Sequence, residues 1–255
     1  MAEQEGYVKT QVMDEIGYIT FFHPQSNSLP GSLLRQLAKT IEQAGNNNQI
    51  KVIVLQSEGE KAFCAGASFD ELIAIKDFEA GKTFFSGFAL VINAIRKAPK
   101  FVIARVQGKA VGGGVGIACA ADYSLALDGA SVKLSELAVG IGPFVVGPAV
   151  ERKIGSSAFT QLAVNATVWQ DVKWARDKGM YADYYSSIDE LDHAVNALAK
   201  QLAKSNPEAM HELKRIAWQG TDHWDQLLFS RAEISGRLVL SDFTVNAINQ
   251  FKKKA

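Results

Sequence analysis

Two glycine-rich segments and one glutamate carry the chemistry that can be read from this chain. Ala62-Phe-Cys-Ala-Gly-Ala67-Ser and Gly108-Lys-Ala-Val-Gly-Gly113-Gly each follow an apolar run that reads as a strand, Lys51 to Ser57 and Phe101 to Val106. Each also precedes a helical pattern. Small residues at a strand-to-helix junction leave backbone N–H groups bare, and two such donors can hold one oxyanion. Downstream, Ser135-Glu136 stands between Leu134 and Leu137-Ala-Val-Gly-Ile-Gly. A carboxylate in such apolar surroundings is a candidate base near neutral pH, because burial disfavours its ionised form.

The elements that must position these groups alternate. Tyr7 to Met13 and Gly17 to Phe22 read as a hairpin around Asp14-Glu15, and Ser28-Leu-Pro-Gly opens a helix reaching about Ala44. After the first glycine turn come helices from about Phe69 and from Phe78 to Lys97, the second ended by Pro99. Further strands are expected at Tyr123 to Leu127 and Ser131 to Lys133. The order strand, turn, helix predicts an α/β core. From about Phe144 onward the pattern is helical, with helices expected at 156–166, 171–178, 188–204, 207–219, 223–238 and 242–253 and no strand among them. The domain reading is a core over 1–190 and a helical segment over 191–255.

Bulk properties narrow the function. The 255 residues carry 27 basic and 27 acidic side chains, so no global field draws nucleic acid or an anionic membrane, and any anion needs a local cluster. No apolar run reaches membrane-spanning length and the first residues lack a signal-peptide pattern, which makes the cytoplasm the expected location. Cys64 and Cys119 sit among small apolar residues and read as buried free thiols. Four scattered histidines offer no metal spacing, so no metal is expected, and no G-x-G-x-x-G or Walker sequence occurs. Arg105 and Lys109 flank the second turn, where structural ion pairing is the expected role.

AFCAGAS, then VQGKAVGGGVGIACAAD, then KLSELAVGIGPF resembles the signature of the crotonase, or enoyl-CoA hydratase/isomerase, superfamily, and the likeness covers nearly the whole chain. The resemblance implies β-β-α turns coiled into a right-handed spiral with two packed sheets. It also implies a C-terminal helical segment that packs between subunits of a homotrimer or hexamer. The implied substrate is an acyl-CoA thioester, with no cofactor beyond the CoA of the substrate itself.

Matched residue by residue, the N–H groups of Ala67 and Gly113 correspond to the family's oxyanion hole for the thioester carbonyl. Of two acidic positions in the family's hydratases, one is retained as Glu136 and the other is Gly116 here. A single base can take the α-proton of a 3-enoyl thioester and return it at the γ-carbon, so the resemblance implies double-bond isomerisation. The acid that a dienoyl isomerase would need is replaced by Phe144, and Ser68 stands where many relatives carry aspartate. Lys61, Ala65, Gly112, Gly116, Phe144, Phe251 and Lys252 complete the expected substrate contacts, Lys61 facing the phosphates and Lys252, after Phe251, reaching the nucleotide or the acyl end from an adjacent subunit, with a solvated lysine tail as the alternative. Two alternatives stay open: a hydratase whose second acid comes from elsewhere, such as the Phe69 to Phe85 region, and a non-catalytic acyl-CoA binder.

Overall fold

Asp14 and Glu15 both take left-handed φ values, 51° and 62°. This two-residue turn folds β1 (Tyr7–Met13) onto β2 (Ile16–Phe22) as an antiparallel hairpin in the computed structural model. The structure describes residues 6–252, with side chains for residues 6–250. β3 (Ser28–Leu29) and α1 (Gly31–Asn46) follow. The N–H of Gly31 has no partner within its helix and is satisfied by Glu71 Oε2 at 2.8 Å.

A β-β-α unit then repeats. β4 (Val52–Ser57) leads into β5 (Ala62–Cys64), β6 (Gly66–Ala67), α2 (Phe69–Ala74) and α3 (Phe78–Lys97). β7 (Val102–Val106) leads into β8 (Lys109–Val111) and α4 (Gly113–Ala120). β9 (Tyr123–Leu127) leads into β10 (Ser131–Lys133), a tight helical turn over Glu136–Val139 and α5 (Gly147–Val164), which is broken at Gly155. The chain closes with β11 (Gln170–Asp171), α6 (Val172–Asp177), β12 (Asp183–Tyr185), α7 (Ile188–Ala203), α8 (Pro207–Ala217), α9 (Trp224–Leu238) and α10 (Asp242–Lys252).

The first strand of each unit enters one six-stranded sheet, ordered β1-β2-β4-β7-β9-β12 and parallel from β2 onward. The second strand enters a four-stranded sheet, ordered β11-β10-β8-β5, and β3 pairs with β6. The apolar run in β4 is continuous because both faces of the large sheet are covered. Ile53 and Leu55 belong to the main core with α1, α3 and α9, whereas Val52 and Val54 pack against Leu191, Val195 and Ala199 of α7. The helices after residue 190 therefore share the cores of the rest of the chain. Among the described residues, no helix is long and apolar enough to cross a membrane.

The expected strands and helices recur with small shifts, but two features differ from the sequence reading. The first glycine-rich motif contains two short strands, β5 and β6, and the second contains β8, while the stretch expected to be wholly helical contains β11 and β12. Strands of two or three residues are stabilised by pairing with distant partners and leave no periodic signal. The helix expected from residue 156 is the second half of α5, which starts at Gly147.

A buried ion pair ties the ends of these units together. Lys214 Nζ of α8 lies 2.8 Å from Asp122 Oδ2 and donates to the carbonyls of Ile95 and Lys100, both at 2.8 Å. Asp122, just after α4, also accepts from the Trp218 indole at 2.7 Å and the Val102 N–H at 2.8 Å. Asp122→Ala would strand a buried ammonium and free two donors, so a loss of about 3–5 kcal/mol is expected in urea unfolding. A loss below about 1 kcal/mol, the range of exposed pairs, would refute this role.

Candidate active site

The parallel pairing of β5 with β8 brings the two glycine-rich turns together. A Cβ built on Gly66 would stand 3.1 Å from the Val111 carbonyl oxygen and 3.7 Å from the Gly113 nitrogen. Gly66 and Gly112 have φ values of 95° and 51°, a region that glycine enters without a steric penalty. The Gly112 N–H is spent on the sheet, donating to the Lys133 carbonyl at 2.9 Å. The next N–H, of Gly113, opens α4, where the first helical donors have no intrahelical partner.

The first turn is held from both sides. Ser28 Oγ donates to the Ala67 carbonyl at 2.8 Å, and the Ser68 N–H donates to the Leu29 carbonyl at 2.9 Å. Ser68 Oγ caps α2 by accepting from the Glu71 N–H at 3.3 Å. Serine thus does at this position the capping work that an aspartate would do.

Glu136 opens the short helical turn after β10, and its carboxyl rests on the second glycine turn. A Cβ on Gly112 would lie 2.8 Å from Glu136 Oε1. Glu136 Oε2 is buried and has no hydrogen-bond partner among the described residues. Burial pushes the carboxyl up to about 7, opposed by a weaker interaction with its own backbone N–H. The turn is closed by Gly140 and packed from the far side by Phe243 and Thr244 of α10.

These groups face a cavity of about 570 Å³, within the range of small-molecule sites. Phe84, Phe85 and Phe88 of α3 form one wall, and Phe144, Val145 and Val146 contribute another. The Phe88 ring lies over Gly113, where a Cβ would come within 2.2 Å of it. Lys133 and Glu136 are the only ionisable residues on the walls among the described residues.

Of the residues expected from sequence, Ala65, Ala67, Gly112, Gly113, Glu136 and Phe144 line this one cavity. Gly116 does not. It lies one helical turn inside α4, and the space its side chain would occupy is filled by Val146, whose Cγ1 is 2.5 Å from the position of the missing Cβ. Lys61 is exposed at the start of β5 and is not a wall residue. Phe251 and Lys252 fall where side chains lie outside the described residues. Cys64 and Cys119 are free and buried, each thiol pushed up to about 12 by burial, which removes nucleophilic character at neutral pH. Arg105 forms an ion pair with Asp192 of α7, whereas Lys109 has no ion pair among the described residues and lies over Trp169. Sequence reasoning missed Ser28 and Lys133, which nothing in the linear pattern marks. It did not single out the phenylalanines of α3, whose place on the wall depends on how that helix folds over the cavity.

Residues 11–233 match the sequence model of the Enoyl-CoA hydratase/isomerase family. The chain belongs to that family. Among family members, the mitochondrial methylglutaconyl-CoA hydratase of Homo sapiens is 32% identical over 200 residues, which cover 77% of this chain and 58% of that protein. The chain thus spans less than two thirds of that relative's length. Carnitinyl-CoA dehydratase of Escherichia coli is 32% identical over 200 residues, covering 78% of this chain and 75% of that protein. In three dimensions, the crystal structure of enoyl-CoA hydratase from Bacillus halodurans superposes with a TM-score of 0.88 at 22% identity, covering 96% of this chain and 99% of the other. That superposition establishes the crotonase fold.

Proposed function

We propose that this protein binds an acyl-CoA thioester with its carbonyl oxygen between the N–H groups of Ala67 and Gly113, and that it moves the double bond of a 3-enoyl-CoA to the 2-position. Glu136 takes the α-proton, the charge spreads into a dienolate whose oxygen is held by the two N–H groups, and the same carboxyl returns the proton at the γ-carbon. No atoms are gained or lost. The observation that carries this reading is the single unpartnered carboxyl on the cavity wall, with Val146 filling the place of a second one. Hydration needs a water activated between an acid and a base, and among the described residues the walls offer only one such carboxyl. One group that alternates between base and acid needs a value near the working pH, which burial supplies.

A second reading, hydration of 2-enoyl-CoA, is favoured by the names of the relatives, which are a hydratase and a dehydratase. Paired assays of 3-enoyl-CoA and 2-enoyl-CoA series separate the two. Double-bond migration without hydration is expected, and hydration of the 2-enoyl series at equal or greater rate would overturn the isomerase assignment. A homotrimer or hexamer belongs to the same proposal. Leu137 and Phe243, 51% and 68% exposed beside the Glu136 turn, are apolar surface that a neighbouring subunit would cover.

A further inference from the structure

The cavity carries one cation that the chemistry above does not use. Lys133 Nζ lies 4.4 Å from the centroid of the Trp169 ring and Lys109 Nζ lies 5.2 Å from the same centroid. β8 and β10 run parallel with Lys133 opposite Val111, so Lys109 and Lys133 emerge on the same face of the small sheet, two residues apart in register. Among the described residues neither lysine forms an ion pair. Asp171, across from Ser131 on the neighbouring strand, turns its carboxylate to cap α6, accepting from the Trp174 N–H at 2.7 Å. Partial burial and the charge of Lys109 both push the Lys133 ammonium below its ordinary value. The indole face offsets part of the repulsion between two like charges, and an anion between them would offset more.

The position of this pair tells which anion it would meet. Lys133 lines the cavity, and its carbonyl accepts the N–H of Gly112, the residue next to Gly113. Its backbone therefore lies beside the second glycine turn and its side chain on the wall of the same cavity, whereas in the acyl-CoA reading the phosphates of CoA are separated from the thioester by the whole pantetheine arm. We propose that Lys133, backed by Lys109 and Trp169, binds a carboxylate on the acyl chain, so that the substrates are thioesters of dicarboxylic acids. This rests on the acyl-CoA reading above but not on which reaction the site performs.

Saturated thioesters test it without turnover. Calorimetric titration would compare glutaryl-, adipyl- and suberyl-CoA with uncharged pentanoyl-, hexanoyl- and octanoyl-CoA. The wild type is expected to bind the charged member of at least one pair about tenfold more tightly, as one charge-assisted contact allows. Lys133→Met should bring that ratio to about one and Lys133→Arg should retain it. Lys109→Met should lower it by a smaller factor. A ratio near one for every pair in the wild type overturns the proposal. Equal weakening of charged and uncharged thioesters by Lys133→Met also overturns it, since the lysine would then serve the CoA moiety. Failure of every thioester to bind would overturn the acyl-CoA reading itself, and this inference with it.

Discussion

Glu136→Gln is expected to lower turnover of a 3-enoyl-CoA by about 10²–10⁴-fold, the usual worth of a positioned acid–base group. Glutamine keeps the shape of the side chain against Gly112 and removes only its ability to carry the proton. In the wild type, kcat/KM should rise with pH as the carboxyl ionises and level off above its value of about 7. The same substitution has a second signature in stability. The folded carboxyl holds its proton up to about 7, whereas the unfolded one releases it near 4.5. The folded value is the raised one, so the protonated carboxyl's contribution is fully present below pH 4.5. It is lost as pH rises through 7, by an amount on the order of 3 kcal/mol. Urea unfolding should find the Gln variant equal to or below the wild type at pH 4 and more stable than it at pH 8. A variant with undiminished turnover would remove Glu136 from the chemistry, and a pH-independent difference in stability would mean that its carboxyl is not held protonated.

Gly116→Glu, which supplies the second carboxylate of the family's hydratases, should by itself yield a destabilised protein without hydratase activity. Its Cβ would fall 2.5 Å from Val146 Cγ1 and 2.7 Å from Val146 Cβ, inside a packed helix contact. Overpacking of this kind costs about 1–3 kcal/mol, before the cost of burying a further carboxyl is added. Gly116→Glu combined with Val146→Gly removes both clashing atoms, and since Val146 lines the cavity, the new carboxylate would be directed toward it. The double variant is expected to recover stability relative to Gly116→Glu and to hydrate a 2-enoyl-CoA about tenfold or more faster than either single variant, given the usual worth of an acid–base group. Loss of enoyl absorbance measures the hydration and urea unfolding the stability. If Gly116→Glu alone folds as well as the wild type, Val146 is not the obstacle. If the wild type already hydrates the substrate well, a second carboxylate is not needed.

Much of this site was legible before the fold was known, for a local reason. The proposed oxyanion donors are backbone groups, and what exposes them is the run of small residues in each turn, which the chain displays as Cys64-Ala-Gly-Ala67 and Gly112-Gly-Gly. Glu136 is marked by its apolar neighbours, and the missing acid by Gly116, so the resemblance and its main departure both lie in short contiguous stretches. The hairpin, α1, α3, β9 and the C-terminal helices were legible because each has its own period or cap.

Contacts made between stretches were not legible. That Val146 fills the place left empty at Gly116 depends on α5 crossing α4. That Phe88 covers Gly113 depends on α3 lying over the second turn. That Lys109 and Lys133 share Trp169 depends on β8 and β10 pairing in one small sheet, whose strands are too short to show alternation. The chain's linear order determined which groups could hold an enolate and move a proton. The tertiary structure decided how many carboxyls reach the cavity and which charge stands beside them, because side chains distant in sequence meet only where strand pairing and helix packing bring them together.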